Sequence, residues 1–171
     1  MHLYGGRVRQ MTGHRHHRPG APDQRLPRLQ PTEAAVLTVA RHFFQSFARP
    51  ETEGWLAAFD HAARFFGAED GPRIAISVLQ SVQRMREARR SCFHFSNPDC
   101  PHCAEVIGES ERHFIGAFRG MAHGRLSEAY GHALILCEGH DADPLLAEMR
   151  RLAGLLLDRD PQPMAAAAGL H

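Results

Sequence analysis

Apolar residues recur every three to four positions from Val36 to Leu156, the period of helices that bury one face. The first predicted helix runs from Thr32, an N-cap type, to Ala48, with Val36, Val39, Phe43 and Phe47 on one side. Pro50 stands where an N1 proline opens a second helix, whose stripe is Trp55, Phe59, Ala62 and Phe66 and which stops at Gly67. A third starts near Pro72 and carries Ile74, Val78, Val82 and Met85 to about Arg90. Pro101 opens a fourth, with Cys103, Ile107, Phe114, Phe118 and Met121, ending around Gly120 to Gly124. The fifth, about 126 to 138, carries Leu126, Tyr130, Ala133, Leu134 and Cys137, with Gly139 as its C′ residue. Asp143 and Pro144 form an N-cap and N1 pair for the sixth, which turns Leu145, Met149, Leu152 and Leu156 inward.

No segment alternates with period two; only 92–95 and 133–136 are short apolar runs of strand type. The pattern predicts an all-α, single-domain bundle of about six helices over 31–158, with a cysteine-rich link at 91–103. Residues 1–30 read as a flexible Arg/His/Pro-rich arm that includes His14, His16 and His17, and a start at Met11 would shorten it. Residues 159–171 read as a flexible tail.

The chain has 171 residues and is 43% hydrophobic, enough for one core. No apolar run reaches the roughly 18–20 residues of a membrane span, and no apolar segment follows Arg7 and Arg9 as a secretory signal would. A cytoplasmic protein is expected. The formal net charge of +1 gives no global attraction to nucleic acid or membrane. All 20 basic residues are Arg; six lie in the first thirty residues, and Arg84, Arg86, Arg89 and Arg90 end the third helix. Those two patches are the candidate contacts to nucleic-acid phosphates, although cations at a helix C-terminus are favoured without any ligand. The doubled phenylalanines Phe43–Phe44 and Phe65–Phe66 place aromatics on two faces, as a homodimer or protein-partner surface would.

Chemistry concentrates in Ser91–Cys103, which holds Cys92, Cys100 and Cys103 together with His94 and His102. Cys100 and Cys103 have the CxxC spacing of zinc and iron–sulfur sites, and clustered thiols in a reducing compartment hold metal or do redox work more often than they staple a fold. Cys137 is the natural third ligand if the fourth and fifth helices are antiparallel, although their lengths leave a gap of about 11 Å to close at 1.5 Å per residue. Cys92 or His94 would complete a tetrahedral set. Zinc is the first expectation, since it accepts mixed Cys/His sets; an iron–sulfur cluster is the second.

Phe95-Ser96-Asn97-Pro98-Asp99-Cys100-Pro101-His102-Cys103 also resembles the active-site turn of thioredoxin-like oxidoreductases, and Cys-Pro-His-Cys is similar to the motif of their thiol oxidases. The resemblance implies Cys100 as nucleophile, Cys103 as resolving thiol and His102 as the group that lowers the first thiol's pKa. It also implies a central sheet with a cis-proline opposite the motif, whereas the later prolines Pro144, Pro161 and Pro163 follow no β-like run. In a third reading Cys103 and Cys137 are small core hydrophobes and the chain is a metal-free interaction module. Glu109, His113 and His132 are raw material for a bundle-core metal site, but they lack the repeated Glu-x-x-His motifs of a di-iron centre. The expected function is a small metal-binding helical protein with a regulatory or interaction role, and the CxxC oxidoreductase is its rival.

Overall fold

The computed structural model describes residues 29–158, so all but the last two residues of the expected arm, and the tail beyond Asp158, lie outside the described residues. Seven α-helices and no strand occur among the described residues. They are α1 (Pro31–Ala48), α2 (Gly54–Phe66), α3 (Asp70–Ala88), α4 (Pro101–Ala104), α5 (Glu109–Ala122), α6 (Leu126–Leu136) and α7 (Asp143–Leu157), with a 3-10 turn at Pro50–Thr52. The central sheet implied by the resemblance to thioredoxin-like proteins is therefore missing from the described residues. The two runs of strand type resolve as an extended link at 92–95 and as helix at 133–136.

The helices form two successive three-helix groups, α1–α2–α3 and α5–α6–α7, joined by the cysteine segment. α3 packs on α7 and α1 touches α5, which closes the two groups around one core. Val36, Phe43, Phe44, Ile74, Val78, Met85, Phe114, Leu145, Met149 and Leu152 are fully buried there. Glycines set two of the closest approaches. A Cβ on Gly71 would lie 2.5 Å from the Ala63 Cα, and one on Gly120 would lie 2.8 Å from the Ala129 backbone nitrogen. Both gaps are shorter than any ordinary carbon contact, so the glycines allow α3 to approach α2 and α6 to approach α5.

Several sequence expectations change in detail: Leu126 and Tyr130, read as part of an inward stripe, are exposed at 53% and 45%, and Gln30, one residue before Pro31, caps the first helix in place of Thr32. Pro50 opens the 3-10 turn, and α2 starts four residues later at Gly54. Trp55 is 48% exposed, and Ala58 takes its place in the buried stripe with Ala62 and Phe66. The predicted fourth helix is interrupted at 105–108 and becomes α4 and α5. The interruption has a cause distant in sequence: the carbonyls of Ala104 and Val106, which a continuous helix would use itself, accept from the Arg41 guanidinium at 2.7 Å each.

The doubled phenylalanines divide differently. Phe43 and Phe44 are both buried, whereas Phe65 is 45% exposed beside buried Phe66. Among the described residues no helix is long and apolar enough to cross a membrane.

Candidate functional site

The cysteine segment is irregular in backbone but anchored at both ends. Phe93 is buried, with its ring 4.3 Å from Phe44, and Phe95 lies 5.7 Å from the same ring, measured between centroids. At the start, Arg89 is buried and donates to the Leu136 carbonyl at 3.0 Å and the Cys92 carbonyl at 3.2 Å. Glu138, in the left-handed region at φ 56°, accepts from the Arg90 amide at 2.7 Å and the Ser91 amide at 3.0 Å. These bonds to its charged form, led by the one from the Ser91 hydroxyl, pull its carboxyl down to about 2.

At the far end one carboxylate organises the turn. Glu111 is fully buried and accepts from Arg41 Nε at 2.7 Å, from the Ser96 amide at 3.0 Å and from the Gly108 amide at 2.7 Å. Arg41 in turn holds the carbonyls just after the CxxC. Buried charge is tolerated here because every formal charge has a partner and several hydrogen bonds.

Between these anchors, Asn97, Pro98 and Asp99 make the turn that presents the thiols. The Asp99 amide donates to the Asn97 side chain at 3.0 Å, and Pro98 sits at the second turn position that its fixed φ suits. Asp99 is clamped to α1 by the amide of buried Gln45. Beside it, His42 turns a buried Nδ1 that has no partner, and burial lowers its pKa against the pull of Asp99.

Cys100 and Cys103 are both half-buried at the start of α4, Cys100 as its N-cap. The neighbouring Cys103 is the largest influence holding the Cys100 thiol below the usual range. Cys103 is pushed above it, by Cys100 first and burial second. His102, between them, is exposed.

The other expected ligands stand elsewhere. Cys137 caps the C-terminus of α6, is fully buried, and has its thiol pushed up by burial against the opposing pull of Arg89. Cys92 is exposed and within electrostatic range of the same guanidinium, and His94 is exposed on the link. The described residues include all four cysteines, and among them no group of three or more His, Cys, Asp or Glu side chains is gathered as a metal ion requires. Cys100 and Cys103 are brought together; Cys137, Cys92 and His94 do not join them. The donor set for a four-ligand zinc or cluster site is not assembled in this arrangement.

The basic end of α3 is also dispersed. Arg86 lies over the Phe47 ring at 3.7 Å, Arg84 pairs with Glu87 at 3.0 Å, and Arg89 is committed to the link.

Sequence reasoning passed over Arg41, Glu111 and Gln45. A charged and an amide residue inside the apolar run from Ala35 to Phe44 and its continuation were the available signal for two of them. Their partners lie 54 to 70 residues away, where no local pattern reaches. Comparison with known proteins finds no matching family model, no matching curated protein and no matching solved structure.

Proposed function

We propose that this chain is a small cytoplasmic thiol–disulfide redox protein, with Cys100 as the attacking thiol and Cys103 as the resolving thiol. The observation that carries the reading is the setting of the pair: Cys100 and Cys103 flank the first turn of α4, on a segment tied to α1 by Gln45–Asp99 and to the core by Arg41 and Glu111, and no third metal donor joins them among the described residues. The Cys100 thiolate attacks one sulfur of a substrate disulfide, forming a mixed disulfide and releasing one substrate thiolate. Cys103 then loses its proton to solvent and attacks Cys100, which releases the second substrate thiolate and leaves a Cys100–Cys103 disulfide. Two electrons pass from the protein dithiol to the substrate, and two molecules of glutathione, leaving as glutathione disulfide, or one cellular dithiol return them. The reverse sequence oxidises a substrate dithiol.

The full chain equilibrated in graded glutathione buffers, then alkylated and peptide-mapped, tests this reading. The expected result is a Cys100–Cys103 disulfide that titrates with the buffer, and a glutathione adduct trapped on Cys100 in Cys103→Ser. Absence of that disulfide at every ratio overturns the reading. So does one zinc per purified chain that is lost in both Cys100→Ser and Cys103→Ser, a result that returns the pair to the metal-binding role expected from the cysteine spacing.

A further inference from the structure

His113 on α5 and His132 on α6 point their Nδ1 atoms at each other across 2.9 Å. Their ring centroids are 5.2 Å apart and the ring planes are inclined by 53°. Both rings are half-buried, and a Cβ on Gly116 would sit 2.5 Å from His132 Nε2, so the His132 ring lies against α5 where only glycine leaves room for it.

A separation of 2.9 Å requires that one Nδ1 carry a proton and the other a lone pair. Two imidazoles bound through Nδ1 to one tetrahedral ion, at about 2.0–2.1 Å, place their centroids about 5.2 Å apart and their nitrogens about 3.3 Å apart. The ring centres therefore already stand at the spacing of a two-histidine chelate. At present the two nitrogens meet head-on, and turning each ring by about 35° would bring both lone pairs onto one tetrahedral ion at the same centroid spacing.

Glu109 lies one turn before His113 on α5, is exposed, and exerts a favourable electrostatic pull on the imidazolium form of His113; Arg112 and His132 oppose that form. We propose that His113 and His132 form a binding site for a single zinc-type divalent cation, with the Glu109 carboxylate swinging in as third ligand and water completing the shell. Binding needs no redox partner. The ring that donates shifts its proton from Nδ1 to Nε2, and the freed lone pair joins that of its neighbour on the ion. Neutral imidazole is the ligand form, so acid competes with the metal. This proposal is independent of the thiol chemistry and uses none of its residues.

The probe is zinc chloride added at pH 7.5 to the full-length Cys100→Ser/Cys103→Ser chain, followed by imidazole ¹⁵N resonances and calorimetry. Expected are joint displacement of the His113 and His132 Nδ1 signals and an affinity at least tenfold weaker in His132→Gln, with a smaller loss in Glu109→Gln. The site-resolved signals in the unsubstituted pair keep the test valid if His132→Gln folds poorly. Zinc uptake that leaves both Nδ1 signals unmoved, including uptake confined to other histidines, overturns the proposal.

Discussion

The Arg41 guanidinium and the Glu111 carboxylate, 70 residues apart, meet at 2.7 Å with both side chains almost fully buried. The pair joins α1 to α5, and its remaining donors and acceptors are spent on the segment that carries the thiols. Removing one partner strands the other charge in the core. Glu111→Ala is therefore expected to lower stability by about 3–5 kcal/mol. Arg41→Met combined with Glu111→Leu should cost less than Glu111→Ala alone, and denaturant unfolding of the three variants measures the difference.

The unequal thiols give a kinetic signature. Alkylation of Cys100 by iodoacetamide should reach half its maximal rate below the reference thiol value of 9.0. The midpoint should move upward in Cys103→Ala, which removes the neighbouring thiol. A midpoint unchanged by that substitution would show that Cys103 does not set Cys100 reactivity.

Glu138 predicts acid sensitivity. Its carboxyl is at about 2 in the folded chain against 4.5 for the unperturbed group, so the folded state binds fewer protons through that interval. Its contribution is fully present above pH 4.5 and is lost as pH falls toward 2. Glu138→Gln should be less stable than the parent at neutral pH and should lose less stability across the same acid range. Urea midpoints at pH 6, 4 and 3 read both effects.

Two glycines should respond in opposite directions. Gly131 lies in α6 with open space where a Cβ would go, so Gly131→Ala should stabilise by about 0.5–1 kcal/mol through helix propensity and a less flexible unfolded chain. Gly71→Ala would drive its methyl into the Ala63 backbone and should destabilise by about 1–3 kcal/mol. Thermal unfolding of both variants checks the pair.

Phe93 separates the anchor from its surroundings. Phe93→Ala empties a site beside Phe44 and should cost about 3–5 kcal/mol, whereas Trp55→Ala, half-exposed, should change stability by about 0.5 kcal/mol or less.

The helical period made most of the bundle legible in the sequence. The inward stripes of α1, α3 and α7 are buried as the spacing predicts except at their ends, where Phe47 and Leu156 are partly exposed, because apolar burial positions them. The split between α4 and α5 was hidden, since it depends on Arg41 taking the Ala104 and Val106 carbonyls from 63 and 65 residues away. The CxxC pair was visible as spacing, but the anchoring of its turn by Gln45, Arg41 and Glu111 was not. Cys137 was correctly placed on the inner side of its helix, yet the route of the link brings it beside Arg89 and does not unite it with the CxxC. Glu109, His113 and His132 stood out in the sequence as side chains on paired helices that could approach, and the structure brings the two rings to 2.9 Å.

Because the Glu111 carboxylate is shared between the core and the cysteine turn, that turn has no freedom of its own. A thermodynamic cycle follows. Whatever free energy the fold supplies to prefer the dithiol over the disulfide at Cys100 and Cys103 must reappear, with equal size, as a change in unfolding free energy when the pair is oxidised. A turn hanging loose from the bundle would leave those two quantities uncoupled. If Cys100 and Cys103 cycle as proposed, melting temperature becomes a gauge of their reduction potential, and substitutions at Arg41 or Glu111, far from either sulfur in sequence, become means of tuning it.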